Sequence, residues 1–414
     1  MIHPEMKSIT KGERDMFITN DIKYIGVNDH EIDLFEGQYV VPNGMSYNSY
    51  VILDEKIAVM DSVDQNFGEQ WLKNLEAALE GRKPDYLVVH HMEPDHSANV
   101  ANFLEHYPEA VVVSSAKAFT MIKQFFGYDY ADRRIVVGEG DTLSLGKHVL
   151  NFVTAPMVHW PEVIMSYEST EKVLFSADAF GSFGALDGKL FSDEVDFDRD
   201  WLDDARRYYT NIVGKYGPHV QALLKKASAV DIQIVCPLHG PLWKAKDLGY
   251  LVDKYDKWSR YEPEENGVMI VYASMYGNME SAAQLLASKL AEKGVEKLAV
   301  YDVSNTHVSH LIAESFKYSH IVLASVTYNL GIYPLMHNYL MDMKALNMQK
   351  RTVAIMEGGS WAPKAGQLME EFLDGMKQMT VLNEKVTVLS TLNESSEMEM
   401  DQMVEAIVES LRDA

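Results

Sequence analysis

Residues 91–96 read His-Met-Glu-Pro-Asp-His, four metal-capable side chains within six residues, directly after the apolar run 86–89. A loop at a strand end aims several ligands at one point without helical spacing. Pro94 is expected to hold a turn there and to prevent a regular helix. The plainer reading makes Asp95 or Ser97 a cap for the helix that follows. Three further apolar runs end in a ligand type: 151–155 leads to His159, 173–176 to Asp178 and 232–235 to His239. A single His or Asp at a strand end commonly satisfies backbone groups. Four His and three carboxylates at four such ends are better read as a metal centre. Seven ligands exceed one tetrahedral zinc and suit two ions sharing a bridging carboxylate. The carboxylate content favours an ion harder than zinc, and His with carboxylate at open positions is typical of non-haem iron. Two ferrous ions are matched in charge by Glu93, Asp95, Asp178 and one bridging hydroxide, which a buried site requires.

A second chemistry is written after residue 267. The apolar run 268–273 leads into Ser274-Met275-Tyr276-Gly277-Asn278-Met279 and then a helix. A short polar loop with Gly at a helix N-terminus points N–H groups and the positive dipole end at an anion. It matches neither the dinucleotide nor the nucleoside triphosphate loop. Two more loops fit with it: Val326-Thr327-Tyr328-Asn329 with Gly331, and Gly358-Gly359-Ser360-Trp361. The paired glycines permit close backbone approach to a ring, with Tyr328 and Trp361 as candidates to pack on it.

The elements that position these loops come in two rhythms. Before residue 261, strands follow as neighbouring pairs (49–53 with 57–60; 147–154, 163–167 and 172–176), with helices near 66–80, 97–106 and 115–126, a mixed α+β pattern. After it, strands 268–273, 298–301, 320–325, 352–356 and 386–390 alternate with helices such as 280–293. That alternation predicts an open, doubly wound parallel sheet. Between the two lies Tyr-Glu-Pro-Glu-Glu-Asn-Gly (261–267), a composition expected of a solvated linker. The 414 residues allow two or three domains at roughly 150 each. With 37 basic and 61 acidic residues, the net charge of −24 disfavours nucleic acid. The only cysteine, Cys236, excludes an intramolecular disulfide and Cys-based zinc or iron–sulfur sites; it and the 23 Met are read as core. No apolar run approaches a membrane span, and residues 1–16 lack the apolar stretch of a signal peptide, which together point to a soluble protein of the cytoplasm.

These residues carry a family resemblance. His91–His96 with His159, Asp178 and His239 resembles the metallo-β-lactamase fold, whose motif is usually H-x-H-x-D-H with zinc. Glu93 in place of the second His gives H-x-E-x-D-H, the form seen in flavodiiron proteins. The segments TAPMVHWPE, LFSADAFGSFG and CPLHGPLW are similar to that family too. The resemblance covers nearly the whole chain. It implies a metallo-β-lactamase-like αββα sandwich over residues 1–262 and a flavodoxin-like FMN-binding domain over 263–414. It implies that His91, Glu93 and His159 bind one iron, that Asp95, His96 and His239 bind the other, and that Asp178 bridges. His90 is expected to pack or to support the ligands, and His148, His219 and His337 are given ordinary structural roles. The loop 274–279 resembles flavodoxin's phosphate loop, with Met279 where Thr is usual.

By the same resemblance the chain is an oxidoreductase reducing dioxygen to water, nitric oxide to nitrous oxide, or both. Two ferrous ions and a reduced flavin hold the four electrons that dioxygen needs. The family arrangement is a head-to-tail homodimer, with a tetramer as the alternative. The chain ends at Ala414 with no CxxC pair, so electrons are expected from a separate donor, rubredoxin by resemblance or a reduced deazaflavin. A dizinc hydrolase fused to a flavodoxin-like module, and a non-catalytic flavin carrier, are the competing readings.

Overall fold

The structure, a computed structural model, describes residues 16–413; the signal-peptide reading of the N-terminus and the final Ala414 lie outside them. Two six-stranded sheets make the first region. One runs Ile22–Tyr24, Tyr50–Ile52, Ala58–Met60, Tyr86–Val88, Val111–Ser114, Arg134–Val136, with antiparallel pairs at its start and parallel ones at its end. The other runs Thr142–Ser144, Val149–Thr154, Ile164–Glu168, Val173–Phe175, Ile234–Cys236, Trp243–Lys244. Strand side chains alternate between faces. Tyr50, Ile52, Val88, Phe152, Ile164 and Phe175 fill the space between the sheets. Val51, Val59, Leu87 and Val112 turn outward onto Trp71, Leu75 and Phe103 of the covering helices. That is the expected αββα sandwich.

The second region is a parallel sheet in the order Leu298–Asp302, Glu265–Ala273, Tyr318–Tyr328, Arg351–Gly359, Met379–Leu389. Counted along the chain this is 2-1-3-4-5, the predicted doubly wound sheet. The helix Asn278–Glu292 covers one face with Leu286 and Leu290, beside Met400, Met403 and Ile407 of the last helix. Gly294 follows it at φ +86°, a helix-ending conformation that suits glycine.

The junction differs from the solvated linker expected. Tyr261 is buried, Glu265 already belongs to a strand, and the Glu264 side chain is only 4% exposed. Arg206 pairs with Glu264, which also accepts from Trp258 Nε1 at 2.7 Å and Lys254 Nζ at 2.9 Å. Arg351, fully buried, donates to the carbonyls of Tyr261 (2.7 Å), Ser315 (2.8 Å) and Phe316 (2.9 Å). Three acids in seven residues read as solvent-facing; here one of them neutralises a buried guanidinium. Among the described residues no helix is long and apolar enough to cross a membrane.

Candidate metal centre and cofactor cleft

The predicted ligands converge at one end of the sandwich, each in or beside a loop that leaves a strand. His91 follows Tyr86–Val88, His159 follows Val149–Thr154, Asp178 follows Val173–Phe175, and His239 follows Ile234–Cys236. Contrary to expectation, Pro94 opens a four-residue helix, Pro94–Ser97, which carries Asp95 and His96. Proline at a first helical position loses no hydrogen bond, so it starts the turn instead of blocking it. Neither Asp95 nor Ser97 caps the next helix, whose N-cap is Asn99.

Two groups form. His91, Glu93, His159 and Asp178 place one ligand atom each within 4.8 Å of one another, as do Asp95, His96 and His239. In the first group Glu93 Oε2 lies 3.2 Å from His91 Nε2 and 3.0 Å from His159 Nε2. In the second, His96 Nε2 and His239 Nε2 face each other at 2.9 Å, and Asp95 Oδ2 is 3.2 Å from both. Asp178 joins the groups: Oδ2 is 3.2 Å from His159 Nε2, and Oδ1 is 3.3 Å from His96 Nε2. Both Asp95 oxygens, Asp178 Oδ1 and His96 Nδ1 are buried without a hydrogen-bond partner. Orphaned buried acceptors are costly unless something absent from the protein itself meets them. Four imidazoles and three carboxylates, converging and undersatisfied, fit a pair of cations.

The electrostatics agree. Burial and the neighbouring Glu93 and Asp178 push the Asp95 carboxyl up to about 7, against the pull of His96. Burial works against charge on His91, yet Asp178, Glu162 and Glu93 hold its pKa well above the usual range. The cluster thus lacks a positive charge that it partly makes good with protons.

The ligands are held from behind by residues the sequence reading missed. Glu162 Oε1 lies 2.8 Å from His91 Nδ1 and accepts from the Met92 N–H at 3.0 Å. The Ser46 carbonyl accepts from His239 Nδ1 at 2.6 Å. Such partners fix the tautomer and aim Nε2 at the metal. The His239 loop is itself pinned by Asn48, whose amide donates to the Pro237 and Gly240 carbonyls at 2.9 Å each. The only available signals were adjacency, Glu162 lying three residues past His159, and the polar run Ser46-Tyr47-Asn48-Ser49-Tyr50. His90 points away from the cluster, as expected, and lies between Asp61 Oδ2 (2.5 Å) and Ser166 Oγ (2.7 Å). His148 is buried between Asp21 and Glu168, at 3.2 Å from each. His219 and His337 pack on Tyr216 and Phe372.

At the loop end of the parallel sheet lies a cleft of about 430 Å³. Thirteen of the fifteen predicted residues line it: Ser274, Met275, Tyr276, Asn278, Met279, Val326, Thr327, Tyr328, Asn329, Gly358, Gly359, Ser360 and Trp361. Gly277 and Gly331 do not. Gly277 is the helix N-cap at φ +86°, needed for its backbone, while Gly331 pairs with Tyr328 in a small hairpin. Leu330, Val388 and Ser390 line the cleft unpredicted. Gly277 offers no side-chain cap, leaving the first N–H groups of a 15-residue helix for an anion. Met279 is buried, and its side-chain tip packs on Gly358: a Cβ there would lie 2.7 Å from the Met279 Cε, so the flexible thioether would have to move aside for a larger residue. Thr327 Oγ1 is occupied, accepting from the N–H groups of Lys364 (2.9 Å) and Ala365 (3.1 Å). The buried-Met expectation holds for Met279 but not for Met275, Met341 and Met398, which are exposed.

Residues 45–240 match the family described as ODP family beta lactamase, and 270–401 match Flavodoxin. The chain is 30% identical over 364 residues to a nitric oxide reductase of Moorella thermoacetica, covering 87% of this chain and 90% of that one. It is equally similar, 30% over 364 residues, to a rubredoxin-oxygen oxidoreductase of Megalodesulfovibrio gigas, covering 87% and 89%. The crystal structure of the flavodiiron protein from Giardia intestinalis superposes with a TM-score of 0.90 at 26% identity, covering 97% of each chain.

Proposed function

Because the chain belongs to the flavodiiron protein family, we propose that it reduces dioxygen to water, nitric oxide to nitrous oxide, or both, at a non-haem diiron centre served by FMN. The observation that carries this reading is Asp178, fully buried, with one oxygen turned to each of two ligand groups, while its own Oδ1 and both Asp95 oxygens are orphaned. Two ferrous ions and one reduced FMN hold four electrons between them, the number that turns dioxygen into two waters.

His91, Glu93 and His159 would hold one iron and Asp95, His96 and His239 the other, with Asp178 shared between them. Glu162 and the Ser46 carbonyl keep the Nδ1 sides of His91 and His239 occupied, so that each imidazole presents Nε2 without rearrangement. Phe35, Tyr47 and Tyr208 surround the His239 ring at 5.5 to 5.9 Å and keep bulk water from that side. In the cleft, the N-terminus of Asn278–Glu292 would take the FMN phosphate, and Tyr328 and Trp361 are the aromatics that would pack on its ring.

We put the boundary between the diiron domain and the FMN domain at 262/263. Around the cleft Tyr276, Trp361 and Leu330 are 88%, 78% and 62% exposed, an apolar rim that marks an interface. A head-to-tail homodimer, which sets this rim against the partner's diiron end, accounts for it; a tetramer would repeat the same contact. Electrons arrive from a separate cytoplasmic donor, with rubredoxin as the first candidate. A dizinc hydrolase leaves the flavin cleft without a task and would favour His where Glu93 stands.

Protein purified without air is expected to hold about two irons and one FMN per chain, and its reduced form is expected to be reoxidised by dioxygen or nitric oxide. Two zincs per chain and no response to either gas would sink the reading.

A further inference from the structure

Arg206 and Arg207 are neighbours on the helix Leu202–Tyr208, and both are 1% exposed. Arg206 serves the junction described above. Arg207 does something else. Its guanidinium lies 4.4 Å over the Phe183 ring and is forked onto Asp204 at 2.9 and 3.2 Å. Its remaining donor reaches the Val40 carbonyl at 2.8 Å and Ser309 Oγ at 3.3 Å. Val40 ends the hairpin Leu34–Phe35/Tyr39–Val40, whereas Ser309 lies in the first turn of the helix Val308–Lys317 of the flavodoxin-like domain. One guanidinium therefore ties both domains to one hairpin. Two more contacts run the same way: Asn211 Nδ2 donates to the Ser309 carbonyl at 3.1 Å, and the His307 ring lies against the backbone of Gln38 at the hairpin tip.

The other side of this hairpin is the diiron cluster. Phe35 meets the His239 ring edge-on at 5.5 Å. Phe183, under Arg207, touches Phe35, Tyr39 and Tyr208 at 5.9, 5.8 and 5.2 Å. A hairpin with two ladder pairs is not stable by itself, so its placement is set by these ties. Stacking and forking at once is a property of the planar guanidinium that lysine does not share.

We propose that Arg207 is a positioning residue: through Phe183 and the hairpin it holds the aromatic wall beside His239, so that the flavodoxin-like domain governs how a small gas reaches the diiron site of its own chain. This rests on the diiron reading.

The test uses full-length Arg207→Lys and His307→Ala, with amide exchange at Gln38 and Val41, whose N–H groups bond the carbonyls of Phe35 and Asp33, as its first readout. Both variants are expected to exchange there about tenfold faster with iron and FMN content unchanged. KM for dioxygen is expected to move several-fold and kcat little, and the double variant should add less than the sum of the singles. Unaltered exchange in His307→Ala, which is half-buried and should fold even if Arg207→Lys does not, would overturn the proposal. Faster exchange with an unaltered KM would overturn it equally. The exchange measurement needs no metal, so it separates failure of this latch from failure of the diiron reading, which the metal assay decides.

Discussion

At the ligand cluster, six of the seven donor side chains are buried and the backs of His91 and His239 are already bonded. The cofactor cleft is open, and three of its large apolar lining residues are more than half exposed. The cluster draws its ligands from the ends of strands in both sheets of one sandwich, and side chains of the core hold them. The cleft is made of loops that leave the C-terminal ends of the central strands, with Asn329 and Leu330 at φ +51° and +59°, conformations that cost energy in residues other than glycine. A metal pair needs donors fixed to fractions of an ångström, which packing supplies. A flavin brings its own large surface, and loops suffice to receive it. One site is preorganised; the other is completed by its ligand and its partner.

Four changes test that contrast. Glu93→Ala should cost the most: iron lost and reductase activity reduced about 100-fold or more, with FMN still bound, by metal analysis and turnover. Loss of FMN together with iron would show that the two sites are not independent. Glu162→Gln should weaken metal retention by roughly 10–100-fold in a chelator competition without altering the fold, since it removes only the partner behind His91. Glu264→Ala leaves Arg206 buried without its main partner and should destabilise the protein by about 3–5 kcal/mol; a single cooperative transition would show that the two domains melt as one unit. Trp361→Ala should be the mildest, weakening FMN by about 1 kcal/mol, roughly fivefold, with Tm unchanged because the ring is largely in solvent.

The sandwich carries a pH response of its own, away from the ligand cluster. Glu168 is fully buried; that burial would raise its pKa, but His148 and the Thr170 and Glu171 amides hold it at about 2 against the ordinary 4.5. A depressed carboxyl stabilises the fold above its unfolded pKa, so stability is lost as pH falls from about 4.5 towards 2. His148, raised by Glu168 despite its burial, contributes fully below its unfolded pKa of 6.5 and loses that contribution as pH climbs through the folded value. Glu168→Gln should flatten both limbs in unfolding followed against pH. Limbs that stay as steep would place the titration elsewhere.

Much of the site was legible because its chemistry is local. H-x-E-x-D-H packs four ligands into six residues, and each remaining ligand stands within five residues of a strand end. The strand–helix alternation after residue 267 gave the parallel sheet, because a buried parallel strand is continuously apolar. Pro94 misled: a proline that breaks a helix interior is welcome at its first position, and no local pattern distinguishes the two. The stretch 261–267 misled for the opposite reason, since acid-rich composition says nothing of a buried arginine 58 residues earlier.

The candidate ligands, the parallel sheet and the helix that opens onto the cleft were thus determined by the sequence itself, through side-chain types and periodicities that act over a few residues. Which groups stand behind the ligands was decided only by the tertiary structure. Glu162, Ser46, Asn48, Arg207 and Phe183 owe their roles to contacts that are mostly between distant parts of the chain. A carboxylate or guanidinium reads as solvated until the fold removes its water and supplies a partner. Burial is a property of the packed chain, and it turns an ordinary charged residue into one that aims a ligand or holds a wall.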